Sequence, residues 1–287
     1  MWKGVCIDMS TLIEILKALI YGLVEGVTEW LPISSTGHMI LLDEFLGLNV
    51  TDAFWNLFLV VIQFGAILAV VVLYWNKLWP FGLTDNRPYV KKDILLLWVK
   101  CVICCIPAAV VGLLFDDKLD ELFYNPTCVA LALIVFGIGI IVTEIYRAGQ
   151  RPRIRNVMEI TYKDALLLGL FQVVAAIFPG ASRSGLMIIG GLLLGLNRRV
   201  AARFSFYVAV PVMAGASLLK MVKFIGNPIT ATEVIVLLVG MASAFIVSMV
   251  VIRTIMNYVR THNFKIFGYY RIALGILVLV YFGFFAK

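Results

Sequence analysis

The stretch Gly22-Leu-Val-Glu-Gly-Val-Thr-Glu-Trp-Leu-Pro-Ile-Ser-Ser-Thr-Gly-His38 has an imperfect second copy, Gly169-Leu-Phe-Gln-Val-Val-Ala-Ala-Ile-Phe-Pro-Gly-Ala-Ser-Arg-Ser-Gly185. Each runs Gly-Leu, a polar residue (Glu25 or Gln172), an apolar stretch, a proline (Pro32 or Pro179) and a cluster of Ser and Gly. The prolines and glycines divide each copy into a first helical arm, a break and a second arm. The second arms are predicted at about 36–47 and 184–196. Twelve or so helical residues reach only about 18–20 Å, short of a hydrocarbon core of about 30 Å. The arms therefore read as re-entrant, turning back inside the protein. Non-helical backbone at membrane depth is tolerated only where protein or a water-filled cavity surrounds it.

The surrounding chain is what makes a membrane the relevant solvent. It is 62% hydrophobic and 14% charged, with a mean hydropathy of +0.99, far from a soluble domain. Six full spans are expected near 54–75, 93–115, 127–146, 204–222, 232–252 and 267–285. Length alone would allow two soluble domains, but in a bilayer it suits one helical bundle over 1–287. The first residues lack a basic head, an apolar run and a small-residue cleavage site, so the apolar segment near 12–31 is expected to be retained. The net charge of +7 does not point to nucleic acid, because the basic residues sit in short loops between spans. Cys101, Cys104 and Cys105 share one apolar span and read as packed thiols rather than a metal site, with no histidine nearby.

Loop charge gives a topology. Loops 76–92, 147–163, 197–203 and 253–266 are rich in Lys and Arg. The 48–53 link has none, and 116–126, read as a loop, carries Asp116, Asp117, Asp120 and Glu121 against Lys118. The alternation places the basic loops in the cytoplasm and both termini outside. Each half is then a broken pair followed by three spans, about 11–147 and 161–286. Three is odd, so the second pair enters from the opposite face. The fold class expected is an all-α polytopic membrane protein: six full helices plus two re-entrant broken pairs in an inverted-topology repeat, with the breaks meeting deep in the membrane. Thr11-x-x-Glu14 and Thr161-x-x-Asp164 look like matched capping boxes where the first arms begin.

The chemistry follows from what is costly to bury. An ionisable side chain at the membrane centre costs roughly 2.5–3.5 kcal/mol on insertion scales. Glu25 and Glu29 are four apart and share a helix face. Adjacent carboxylates stay ionised only beside a cation or strong donors. A divalent cation, Mg²⁺ or Ca²⁺, suits such oxygen ligands; the plain alternatives are one protonated Glu, or neutralisation by Arg183 alone. Ser34, Ser35, Thr36 and Gly37 open one second arm, and Ser182, Arg183, Ser184 and Gly185 open the other. Helix N-termini bind phosphate through free N–H groups, although each cluster taken singly could be a simple cap. Arg183 offers a planar fork of donors for phosphate oxygens or an internal partner for a glutamate. His38 is a candidate acid/base or a hydrogen-bonded packing residue. Ser35 is the leading nucleophile, activated by His38 or Glu29, with Ser34, Ser182 and water as alternatives.

Glu25-Gly-Val-Thr-Glu-Trp-Leu-Pro-Ile-Ser-Ser-Thr-Gly-His38, Pro179-Gly-Ala-Ser-Arg-Ser-Gly185 and Ala201-Ala-Arg-Phe-Ser-Phe-Tyr-Val-Ala-Val-Pro211 resemble the bacterial undecaprenyl-diphosphatases of the bacitracin-resistance type. The resemblance spans almost the whole chain. It implies a plasma-membrane enzyme, opening on the external face, that removes the terminal phosphate of undecaprenyl diphosphate for reuse of the lipid carrier in cell-wall synthesis. It further implies divalent-cation dependence, Glu25 and Glu29 as the acidic pair, Ser35 as nucleophile, His38 as acid/base and Arg183 as phosphate clamp. Leu186 and Met187 depart from the small residue and Thr expected after Gly185, which removes one hydroxyl contact. The partners implied are the substrate and membrane lipid, with room for a homodimer. The rival class is a lipid-phosphate transporter, since inverted repeats with broken helices are a transporter design. Paired carboxylates and Ser-x-x-His favour the enzyme, because phosphate binding alone needs neither. A structural scaffold would leave the buried charges unexplained.

Overall fold

The computed structural model describes residues 9–84 and 87–284. The expected outward placement of the two chain ends, and the side chains of Asp116, Asp117 and Asp120, lie outside the described residues. Helix α1 (Met9–Thr28) and the short α2 (Ser35–Leu46) are followed by α3 (Asp52–Leu73), one turn of helix α4 (Trp75–Leu78) and strands β1 (Phe81–Thr84) and β2 (Arg87–Val90). The chain continues as α5 (Lys92–Phe123), α6 (Pro126–Tyr146), α7 (Tyr162–Ile177), the short α8 (Arg183–Leu193), α9 (Arg198–Phe224), α10 (Ala231–Tyr258) and α11 (Lys265–Phe284). Six of these helices, α3, α5, α6, α9, α10 and α11, are long and apolar enough to cross a membrane. They are the six expected, and the chain is a multi-pass membrane protein.

Three local expectations are corrected. The 76–92 segment is not plain loop: β1 and β2 form an antiparallel hairpin with Phe81 opposite Val90 and Thr84 opposite Arg87. The acid-rich stretch after 115, read as loop, stays helical to Phe123. It contains no Pro or Gly to stop a helix, and Asn125 then caps α6 by accepting the Cys128 N–H at 2.8 Å. The Thr11 capping box is absent as well. Thr11 already lies inside α1, and Glu14 accepts Lys17 at 2.9 Å and the Asn49 N–H at 3.0 Å instead. The Thr161–Asp164 box is formed, and a third, Thr230–Glu233, opens α10.

Two matched packing arrangements hold the broken segments. Helix α1 packs on α10, α7 on α5 and α6 on α11, while α3 packs on α9 and α10. The glycine that opens each sequence copy is the point of closest approach. A Cβ on Gly22 would stand 2.4 Å from the Gly240 carbonyl oxygen, and one on Gly169 would stand 2.6 Å from that of Cys104. Only a residue without Cβ lets the backbones meet at this distance. The other face of α1 presents Leu12, Leu16, Leu19 and Leu23 outward, an apolar stripe suited to lipid.

The turns after the second arms are also pinned alike. Lys17 donates to Gly47 O at 2.7 Å, and Glu233 accepts from the Thr51 N–H and hydroxyl. Arg153 donates to Leu194 O and pairs with Asp164. Nearby, the fully buried Glu144 carboxylate takes the Arg198 guanidinium with both oxygens and the Phe264 N–H at 2.9 Å. This ties the starts of α9 and α11 to the end of α6.

Candidate active site

Both breaks use the same backbone device. Ser34 and Ser182 immediately precede α2 and α8, at φ 72° with ψ 104° and φ 69° with ψ 111°. They are the non-glycine residues with positive φ among the described residues. Such a conformation is strained for a residue with a Cβ. Each serine hydroxyl offsets the strain by accepting the backbone N–H three residues on, from Gly37 at 3.4 Å and from Gly185 at 3.2 Å. These are N-caps, so the simple capping reading holds for Ser34 and Ser182. Ser35 and Thr36, the two residues after Ser34, line both cavities described below.

A residue that sequence reasoning missed joins the breaks. Arg271 of α11 is fully buried. Its Nη2 donates to Gly180 O and Ala181 O, each at 2.9 Å, and its Nη1 to Pro32 O at 3.4 Å. No carboxylate among the described residues pairs with it. The guanidinium instead satisfies buried carbonyls freed where the helices stop, which otherwise would be orphaned.

The chemistry converges on Glu29. Ser35 Oγ donates to Glu29 Oε2 at 2.9 Å, and Arg183 Nη2 donates to Glu29 Oε1 at 3.0 Å. The Arg183 fork is oriented from behind, with Nη1 on Ser205 O at 2.8 Å. Of the two bases weighed for Ser35, the structure places Glu29 against it. His38 points elsewhere: Nδ1 meets Ser34 O at 2.7 Å and Nε2 meets the Tyr270 hydroxyl at 2.7 Å. A carbonyl only accepts, so Nδ1 carries a proton, and in the neutral ring the tyrosine donates to Nε2. Ser184 donates to Leu31 O at 3.2 Å across the two breaks. Gln172, the counterpart of Glu25, donates to Cys104 O at 2.8 Å and serves α5–α7 packing. Leu186 and Met187 are buried in the core.

Two cavities adjoin this group. An inner one of about 160 Å³ is lined by Glu29, Ser34, Ser35, Thr36, Ser182 and Arg183, together with Gln63 of α3 and Ala216 of α9. An outer one of about 510 Å³ shares Ser35, Thr36 and Gln63 with it and adds Glu25, Asn56, Tyr124 and Lys220. The linings leave complementary groups over. Arg183 Nε is a buried donor without acceptor, and Glu25 Oε1 a buried acceptor without donor. Gly37 and Gly185 sit in the first turns of α2 and α8, where a side chain would crowd Leu133 or Arg271.

A divalent cation of the Mg²⁺ or Ca²⁺ kind would meet two carboxylates here, Glu25 on the outer cavity and Glu29 on the inner, where Ser35 and Arg183 already bond both Glu29 oxygens. No cluster of three or more His, Cys, Asp or Glu side chains suited to a metal exists among the described residues, so a closed protein cage is not on offer. Mg²⁺ instead commonly takes one or two carboxylates plus phosphate oxygens and water. Glu25, with its unpartnered Oε1, and Glu29 would supply the carboxylates.

Known proteins share nearly the full length of this chain. Undecaprenyl-diphosphatase 1 of Clostridium acetobutylicum is 58% identical over 270 residues, 94% of this chain and 98% of its own. Undecaprenyl-diphosphatase of Desulfitobacterium hafniense is 56% identical over 271 residues, 94% of this chain and 97% of its own. Undecaprenyl-diphosphatase of Acetivibrio thermocellus is 54% identical over 271 residues, 94% and 98%. These relatives carry an enzyme's name, and the transporter alternative gains nothing from them. The family described as bacitracin resistance protein BacA matches residues 18–277, and with nine-tenths of its length so matched, the chain belongs to that family.

Proposed function

We propose that this protein hydrolyses undecaprenyl diphosphate to undecaprenyl phosphate and inorganic phosphate, returning the lipid carrier to cell-wall synthesis. The observation that carries the reading is the Ser35–Glu29–Arg183 chain of bonds, at 2.9 and 3.0 Å. It joins a nucleophile, a base and a phosphate clamp at the N-termini of two facing helices. The terminal phosphoryl group sits in the inner cavity, held by Arg183 and the first-turn N–H groups of α2 and α8. Glu29 accepts the Ser35 proton as Ser35 Oγ bonds to phosphorus. The anhydride P–O bond breaks, and the lipid monophosphate leaves with that oxygen. Glu29 passes its proton to the departing lipid monophosphate. Water then attacks the phosphoserine, giving a proton to Glu29, which returns it to Ser35 Oγ as the Ser35 O–P bond breaks and phosphate departs. Arg183 and the helix N-termini stabilise the charge that develops on the phosphoryl oxygens in both steps. A divalent cation bound by Glu25 and Glu29 would neutralise charge on the diphosphate.

The arrangement we infer in the membrane is an inverted repeat, about 11–147 against 161–286, with α2 and α8 as re-entrant arms. The matched strained serines, the matched glycine contacts and the pairing of α1 with α10 as α7 with α5 support it. The arginine-rich loops then lie in the cytoplasm of a bacterial plasma membrane, and the outer cavity opens on the external face. All catalytic groups named come from one chain, so the reading does not require a homodimer.

The test is phosphate release from a long-chain isoprenyl diphosphate by the purified protein. Release is expected with divalent cation present and not after chelation. Arg183→Ala and Glu29→Ala are expected to lower kcat by at least about 100-fold. Normal turnover in either variant would overturn the site assignment, and lipid movement between leaflets without phosphate release would favour a transporter.

A further inference from the structure

The outer cavity contains a cation that the reaction above does not use. Lys220 lies one helical turn beyond Ala216 on α9, and Ala216 lines the inner cavity with Ser35 and Arg183. On the neighbouring helix α3 the same step leads from Gln63, which lines both cavities, outward to Val60 and Asn56. One turn is a rise of about 5–6 Å. The wall shared by α3 and α9 therefore leads from the catalytic group to Lys220, one turn beyond Ala216, and to Asn56, two turns beyond Gln63. Among the described residues lining the outer cavity, Lys220 is the one cationic side chain, and Glu25 is the one anionic.

Its position also runs against the charge pattern of the chain. α9 begins at Arg198 beside the arginine-rich loops and ends at Phe224 at the opposite end of the bundle. Charge bias toward one membrane face accounts for the arginines at the start of α9. Lys220, in the last turns, half-buried and lining a polar cavity, departs from that bias, as does Lys223.

Resting on the phosphatase reading, we propose that Lys220, with Asn56 beside it, binds the proximal phosphate of the lipid diphosphate and selects diphosphates over monophosphates. With the terminal phosphoryl group on Arg183 and Ser35, the second phosphate of the same molecule extends into the outer cavity. There it becomes the leaving group, gaining negative charge as the anhydride bond breaks. The Lys220 ammonium holds that charge. A monophosphate places nothing at this position and gains nothing from it.

The experiment compares wild type, Lys220→Gln and Lys220→Arg in phosphate release from farnesyl diphosphate and farnesyl monophosphate. Loss of a charge-assisted hydrogen bond is expected to lower kcat/KM for the diphosphate by about tenfold or more in Lys220→Gln, with the monophosphate rate unchanged. Lys220→Arg is expected to recover most of the loss. Equal losses on both substrates would mean a structural role and overturn the proposal, as would an unchanged diphosphate rate. Calorimetric binding of inorganic pyrophosphate supplies an arm independent of turnover. Weaker binding to Lys220→Gln than to wild type is expected even if no hydrolysis occurs, which would sink the phosphatase reading alone. Equal binding to both would sink the Lys220 assignment.

Discussion

Gln172 shows how one residue position can serve two ends. In the first copy Glu25 faces the outer cavity; in the second, Gln172 donates to Cys104 O at 2.8 Å and to Cys104 Sγ at 3.2 Å. Gln172→Glu would replace that donor with an acceptor in a buried site, and is expected to cost about 1–3 kcal/mol, seen as a lower melting temperature of the detergent-purified protein. Arg271→Met would orphan the carbonyls of Gly180 and Ala181. We expect it to lower both thermal stability and turnover, with Arg271→Lys intermediate because a point charge cannot satisfy both carbonyls. An unchanged melting temperature in Arg271→Met would contradict the bracing role. Glu29, Ser35 and Arg183 were legible in the sequence because charge and hydroxyl beside a helix break in an apolar chain are costly without a use. Arg271 was not. It follows Lys265, Tyr269 and Tyr270 near the start of a span, where a basic residue reads as a topology signal. His38 was legible as a polar residue of the site, but which ring nitrogen met which partner depended on Tyr270, which is 232 residues away.

At the level of elements, helix starts and helix contacts make the strongest expectations. Thr230 caps α10 through a reciprocal pair with Glu233, which also holds Thr51 at the head of α3. Thr230→Ala is expected to cost about 1 kcal/mol, again read as a shift in melting temperature. Gly22→Ala and Gly169→Ala would each force a methyl group against a carbonyl oxygen closer than 3 Å. Overpacking of this kind costs about 1–3 kcal/mol, so reduced folded yield on size-exclusion chromatography is expected; wild-type yield from both would refute the close-contact account. The six spans were legible because hydropathy over twenty residues is a strong signal. The extension of α5 to Phe123 was hidden because acidic residues interrupt the apolar run without interrupting the helix. The Thr11 cap failed because the motif describes a helix start only if the helix has not already begun, and α1 already includes Met9.

For the whole molecule, the proposed inverted arrangement makes an accessibility prediction. Asn227, in the turn between α9 and α10, and Thr261, between α10 and α11, lie at opposite ends of α10. Asn227→Cys is expected to react with a membrane-impermeant maleimide on intact cells, and Thr261→Cys only after lysis, each judged against the unsubstituted chain. The reverse pattern would place the catalytic opening on the cytoplasmic side. Both copies of the motif break where their prolines and serines stand, and that duplication was legible in the sequence. The assembly of α1 on α10 and α7 on α5 was not, because each partner helix comes from the other half of the chain and no local pattern names it.

In the proposed reaction the Arg183–Glu29 ion pair makes substrate capture an exchange. A phosphate arriving at the guanidinium replaces one anion with another, so the clamp never has to stand as a bare charge in an apolar medium. The displaced carboxylate keeps Ser35 within reach at 2.9 Å. On that reading, occupancy and competence coincide: the event that delivers the phosphate is the one that frees Glu29 for Ser35.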